Sequence, residues 1–307
     1  MGGPRLLLAG VELGGTKCVC ILGSGPGDIR AQVRVQTRGS EPTLAEIAAV
    51  FDSWRTQHGP PEGLGIACFG PLDLRTGSAS FGHVIASPKS GWDGADVLGR
   101  LAQGRGVPVE INTDVNAAAL AEGRWGAGRG LNDFAYVTVG TGIGVGLIVA
   151  GQTVFGCHHP ELGHVRVARV AGDAWPGHCP YHGDCVEGLA SGPAIAARTG
   201  VAPADLGPTD AAWELVAHAL GQLAHTLVLA TGPRRLIFGG GVVQGRPELL
   251  ARVRGHLVDS LNGYLRVDEL TRGISDYIVP PGLGALAGPL GALALAADAA
   301  HRSPAPG

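Results

Sequence analysis

Four side chains, His164, Cys179, His182 and Cys185, follow the pattern H-x14-C-x2-H-x2-C. Two imidazoles and two thiolates form a tetrahedral donor set suited to Zn²⁺. Four protein ligands leave no open coordination position, which is the mark of a structural site. The bland alternative is a histidine-rich surface loop that needs no metal, because Cys157, His158, His159 and His178 lie nearby as unused donors. Glu161 and Glu187 flank the set, so the segment 161–187 reads as a metal-held loop with carboxylates at both ends.

Two glycine-rich turns offer a second chemistry. The stretch 10–17 ends in Gly14, Gly15, Thr16 and Lys17, and the stretch 140–144 carries Gly140, Thr141 and Gly142. Glycines let backbone amides approach an anion closely, and a hydroxyl and an ammonium add contacts suited to phosphate. The first is no Walker A loop, since Thr precedes Lys and a β-like run follows in place of a helix. Taken alone, such a turn is also consistent with a mere hairpin. A third apolar run, 235–238, opens onto Gly239, Gly240 and Gly241, where bare glycines would leave room for a flat base or ribose.

Asp114 completes the list. It follows the strand-like run 107–111 and precedes the helical run 117–122. In open α/β sheets ligands gather beyond the carboxyl ends of strands, and a carboxylate there can take a proton from a hydroxyl. The competing role is that of a helix cap. Lys89, in the turn-rich segment 87–92, is either a solvated loop lysine or a substrate contact.

These residues need elements to position them. The apolar pattern predicts strands over 6–9, 18–22, 63–69, 134–139 and 145–149, and helices over 42–58, 95–103, 211–230 and 284–301. A strand, a glycine turn and a second strand open the chain and recur at 131–151, so two α/β domains of related design are expected. The expected division is a small N-terminal domain over 1–113, with the helix at about 284–301 packing back on it, and a larger domain over 114–283 that carries the loop 161–187. The 303–307 tail is expected to fray.

Composition sets the limits. The chain has 307 residues, 45% of them hydrophobic and 16% charged, with a formal net charge of −3. That supports large buried cores, and without a long basic run it argues against nucleic-acid or membrane-surface binding. The start lacks the features of a secretory signal, and Cys18, Cys20 and Cys68 sit in apolar runs, so a reduced, cytoplasmic compartment is the expectation.

Taken together, the 10–17 stretch, Thr113 and Asp114 with the following alanines, the 140–144 turn, Glu161 to His164, the Cys179–Cys185 loop and the 238–241 glycines resemble the ROK family of sugar kinases and repressors. The match spans nearly the whole chain. The fructokinase branch is similar in Glu12, Gly70-Pro71, Pro88-Lys89, Gly91-Trp92, Thr113 and the 179–185 loop. Glucokinases of the family usually carry Asn before the aspartate and a cysteine-richer loop, whereas this chain has Thr113 and His182. The family's repressors carry an added N-terminal helix-turn-helix, for which the chain, with its first strand beginning by about Arg5, is expected to leave no room.

The resemblance implies the actin-like ATPase (ribonuclease H-like) fold, two α/β domains around a central cleft, and a homodimer. It implies transfer of a phosphoryl group from ATP to the 6-hydroxyl of a hexose, D-fructose above all, with Mg²⁺ accompanying the nucleotide and Zn²⁺ as the structural metal. Asp114 would be the general base, and the 14–17, 140–142 and 239–241 glycine turns would hold the nucleotide. Gly70, Pro71, Lys89, Thr113, Asp114, Glu161, His164 and Glu187 would line the sugar site. Glucokinase, mannokinase or N-acyl-hexosamine kinase activity, or sugar sensing without turnover, are the alternatives.

Overall fold

A computed structural model describes residues 6–87 and 89–302 of the protein; Pro88 and the 303–307 tail fall outside the described residues. The chain divides into two compact units. The first runs through Trp125 and includes Phe155–His159 and the residues from Leu286 onward, while the second comprises Gly126–Val154 and Pro160–Ala285.

The first unit is built on strands β1 (Leu8–Leu13), β2 (Lys17–Gly25), β3 (Asp28–Gln36), β4 (Gly63–Cys68) and β5 (Val109–Thr113), joined by helices α1 (Ser40–His58) and α2 (Val97–Ala102). Their order is β3-β2-β1-β4-β5. β1, β2 and β3 form an antiparallel meander, and β4 and β5 extend it in parallel. β4 is buried at every position, as expected of a strand covered on both faces. Leu44, Ile47, Phe51 and Trp54, spaced along one side of α1, are buried in the core that also takes Val11, Leu64 and Ile66. Helix α3 (Asp114–Trp125) follows β5 directly.

A terminal helix, Ala287–Arg302, lies against β1, β4 and α3 with every residue from Ala287 to Ala297 buried. It can come so close because the sheet offers glycine where it crosses. A Cβ built on Gly65 would stand 1.8 Å from the carbonyl oxygen of Ala292 and 2.7 Å from the backbone nitrogen of Ala296. Backbone cannot yield as a flexible side chain does, so Gly65→Ala should force helix and sheet apart. We expect a loss at or above the upper end of the usual overpacking cost of about 1–3 kcal/mol, read as a lower denaturant midpoint. Gly27→Ala, where an added Cβ meets nothing within 4 Å, should leave the midpoint nearly unchanged. Equal midpoints for the two variants would refute this packing account.

The second unit repeats the opening device. Strands β6 (Phe134–Val139) and β7 (Ile143–Val149) form a hairpin, β8 (Gln152–Thr153) adds to β7, and with β9 (Leu236–Gly239) and β10 (Ile278–Val279) the sheet order is β10-β9-β6-β7-β8. Its helices α4 (Val186–Ala190), α5 (Gly192–Thr199) and α6 (Ala212–Thr231) come before strand β9 (Leu236–Gly239). Helices α7 (Gly241–Gly245) and α8 (Leu249–Leu261) then lead to β10 (Ile278–Val279). Helix α6 buries Trp213, Val216, Leu220, Leu223 and Leu227 and packs along α8, burying about half of its residues in the larger core. Among the described residues no helix is long and apolar enough to cross a membrane.

Candidate active site

In the first unit the parallel strands end together. Leu13 pairs with Cys68, and Cys68 pairs with Thr113, so the 14–16 turn, the Gly70-Pro71 turn and Asp114 all emerge at one sheet edge. That is the carboxyl end of β1, β4 and β5, the edge at which α/β sheets bind ligands.

The cap of α3 is a neighbour of Asp114. Thr113 Oγ1 accepts the Asn116 N–H at 3.3 Å, and Asn112 Oδ1 accepts the Thr113 N–H at 2.8 Å and the Asn116 amide at 2.9 Å. Asp114 Oδ1 accepts the adjacent Val115 N–H at 2.8 Å. The capping role that competed for Asp114 thus falls to Thr113, which is itself buried. Desolvation by the surrounding protein pushes the Asp114 carboxyl up to about 6, against the lowering effect of the backbone N–H groups it accepts. Desolvation, with repulsion from Asp114, likewise lifts Glu12 to about 7, and Lys17 pulls it the other way. Glu12 lies against Gly288 of the terminal helix, where an added Cβ would fall 1.9 Å from its Oε1.

The first glycine turn has its carbonyls drawn back into the protein. Thr37 Oγ1 donates to Gly14 O at 2.8 Å, the Lys89 ammonium donates to Gly15 O, and the Thr37 N–H donates to Thr16 O at 3.1 Å. Thr16 and Lys17 are exposed. A turn that withdraws its carbonyl lone pairs and presents a hydroxyl and an ammonium suits an anion. Lys89 therefore has a partner in the turn itself. Upstream, Asp73 anchors the 73–80 turn: it accepts from Arg75, Ser78 and Ser80 and is held well below the ordinary carboxylate range chiefly by the Arg75 guanidinium. No local pattern in the sequence marks Asp73 for that role.

In the second unit β6 and β9 run parallel, with Thr138 opposite Gly239, so the Gly140 and Gly240 turns share an edge. The three glycines at the end of β9 and just beyond it differ. A Cβ on Gly239 would meet Tyr136 Oη at 2.5 Å, and one on Gly240 would meet Val139 O at 2.4 Å, whereas Gly140 and Gly241 have nothing within 4 Å. Packing accounts for Gly239 and Gly240, and open space remains at Gly140 and Gly241.

His164, Cys179, His182 and Cys185 come together as their spacing predicts, with all four ligand atoms within 4.8 Å of one another. Cys179 Sγ lies 3.6 Å from His164 Nδ1 and 3.6 Å from His182 Nδ1, Cys185 Sγ lies 3.5 Å from His164 Nδ1, and the two Nδ1 atoms are 3.3 Å apart. Tetrahedral zinc with Zn–N of about 2.05 Å and Zn–S of about 2.3 Å requires N···S of about 3.6 Å and N···N of about 3.3 Å. The donor set fits that ion in chemistry and in size. With Nδ1 turned to the cluster, His164 directs Nε2 toward Glu187 Oε1, 4.0 Å away. Of the spare donors, His159 is buried and accepts the Leu72 N–H at 3.1 Å, and Cys157 is exposed. Arg169 braces the loop by donating to Asp173 at 2.9 Å and Asp184 at 3.1 Å, with Arg198 on the other side of Asp173.

Two mixed α/β sheets, each opening with a glycine hairpin, define a protein of the actin-like ATPase fold. A ROK family glucokinase from Streptomyces griseus, solved in complex with glucose and AMPPNP, superposes with a TM-score of 0.75 at 26% identity, covering 95% of this chain and 99% of that one. The ROK family profile matches residues 8–299, and the chain belongs to the ROK family. It is 40% identical to a fructokinase of Zymomonas mobilis, over 95% of this chain and 97% of that protein. It is 37% identical to a fructokinase of Pediococcus pentosaceus, over 95% and 98%.

Proposed function

We propose that the protein is an ATP-dependent sugar kinase that phosphorylates the 6-hydroxyl of a hexose, D-fructose first among them. One observation carries the assignment: Asp114 stands at the carboxyl end of β5 with its capping duty taken by Thr113 and its carboxyl held near 6. A base so placed accepts a hydroxyl proton readily near neutral pH. The fructokinases among its relatives support the choice of sugar.

In this mechanism Asp114 takes the proton of the sugar hydroxyl as that oxygen attacks the γ-phosphorus, and the bond to the β-phosphate oxygen breaks, so ADP leaves with the electron pair. In the first unit Gly14, Gly15, Thr16 and Lys17 hold phosphate oxygens, with Lys89 keeping the Gly15 carbonyl out of the way. Gly70, Pro71 and Thr113 shape the sugar side of the same edge. In the second unit Gly140, Thr141 and Gly142 face phosphate, and the open edge at Gly241 receives the nucleoside. Glu161, His164 and Glu187 face sugar hydroxyls. When bound with the nucleotide, Mg²⁺ would offset the phosphate charge, and Glu12 and Asp114, close enough to repel one another, are the carboxyls that could hold it. His164, Cys179, His182 and Cys185 would hold Zn²⁺, which would supply rigidity and no chemistry. The family resemblance adds a homodimer, and the buried free thiols Cys18, Cys20 and Cys68 suit the cytoplasm.

A coupled assay of ADP release across D-fructose, D-glucose, D-mannose and N-acetylhexosamines is the test. Fructose should give the highest kcat/KM, by at least about tenfold, the net scale of one ordinary hydrogen bond. Sugar binding without ADP release from any hexose would refute the kinase and leave a sensor.

A further inference from the structure

Glu187 joins two parts of the second unit that the mechanism treats separately. It is the second residue of α4, two positions after the ligand Cys185. Its Oε2 accepts the N–H of Ile143 at 3.0 Å, the first residue after the β6–β7 glycine turn. The turn leaves space for that carboxylate, since a Cβ on Gly142 would stand 2.7 Å from Oε2. The other face of the same residue is closed by the zinc loop as well. Gly163, immediately before the ligand His164, lies so close that an added Cβ would fall 1.7 Å from Ile143 O. The turn's remaining anchor, the Gly192 N–H donated to Gly140 O at 2.8 Å, comes from the start of α5, one residue after α4 is capped.

We infer that Glu187 is a positioning residue for the nucleotide hairpin: through it the metal-held loop sets the backbone of the 140–143 turn, so the zinc loop governs phosphate binding as well as the sugar side. The physical reason lies in the geometry of a tight turn. Its two ends are fixed by the β6–β7 ladder, and the N–H of Ile143 would otherwise be an unheld donor at the point where the chain leaves the turn. A side-chain oxygen that reaches this point satisfies that N–H. It is delivered by a helix whose first residue follows a metal ligand, so its position is inherited from the cluster. The inference rests on the reading of this hairpin as a phosphate site.

Two conservative variants separate reach from charge. Glu187→Gln keeps the length and an acceptor oxygen, whereas Glu187→Asp keeps the charge and is one methylene too short to meet Ile143 N–H. Dissociation constants for AMPPNP, measured by calorimetry on the zinc-loaded protein without sugar, should rise about tenfold for the Asp variant, the scale of one donor left without its acceptor. The Gln variant should stay within about twofold of wild type, and hydrogen exchange at the Ile143 amide should accelerate only in the Asp variant. Restored nucleotide affinity in Gln beside lost affinity in Asp supports the coupling. AMPPNP affinity unchanged in both, or lost more in Gln than in Asp, or lost equally, overturns it and leaves Glu187 with the sugar alone. If wild type itself binds no AMPPNP, the kinase reading fails first. Binding by wild type with a matching Asp variant sinks only the coupling.

Discussion

Asp114→Asn should cut kcat by roughly 10²–10⁴, the range expected for a lost general base, while the protein folds and still binds ATP and sugar. Asparagine keeps the size and the bond to Val115 N–H but cannot take a proton. Wild type should also lose kcat/KM as pH falls through about 6, because the carboxyl sits there and only its ionised form is a base. The residual activity of the variant should lack that acid limb. Stability gives an independent check with a definite sign. A carboxyl whose folded pKa is raised stabilises the fold only while protonated, a contribution present below the unfolded value near 4 and lost as pH rises through about 6. At pH 8 wild type therefore holds a charge the fold disfavours, and the variant should melt at the same temperature or higher. Near-normal turnover in the variant would refute the base assignment. If Asp114 served only as the helix cap, asparagine would cap nearly as well and both kcat and the melt would be little changed; the cap of α3 is Thr113.

How far the sequence foretells this depends on where each signal lies. Hairpins β1–β2 and β6–β7, and helices α1, α6 and the terminal one, are legible because a buried face imposes a regular apolar period. β3 is not legible, since on Asp28–Gln36 only Val35 is buried and Arg30 and Arg34 face water, so a polar edge strand resembles a loop. Helix α8 has a usable spacing in Leu250, Val253, Leu257 and Leu261, which could have predicted it. At the site, the metal set is legible because three of its ligands lie within one turn of chain. The link from Glu187 to Ile143 and the Arg169–Asp173–Arg198 brace join distant residues through single polar contacts, and no local period encodes those. The glycines divide on the same principle. Spacing marks all of Gly239, Gly240 and Gly241, but only three-dimensional neighbours separate those demanded by Tyr136 and Val139 from the one left open.

Removing the metal should have the largest effect on stability. We expect about one zinc per chain in purified protein, the tetrahedral stoichiometry, and a melting temperature lowered by many degrees after chelation. Structural zinc is worth on the order of 10 kcal/mol where a small domain depends on it. Here the loss should be smaller and local, because Arg169, Asp173, Arg198 and Asp184 hold the loop independently of the cluster. Hydrogen exchange after chelation should accordingly rise most over 177–185 and least over 169–175. Cys185→Ala should damage more than loss of a ligand alone, since alanine also removes the cap of α4. The Cys185 side chain is fully buried, and its sulfur also accepts the Gly188 N–H at 3.5 Å as the cap of α4, the helix that carries Glu187. Cys157→Ser, at an exposed thiol outside the cluster, should change neither zinc content nor melt. Active protein that contains no zinc would sink the metal assignment, and uniform exchange across 165–187 after chelation would show that the arginine brace does not hold without it.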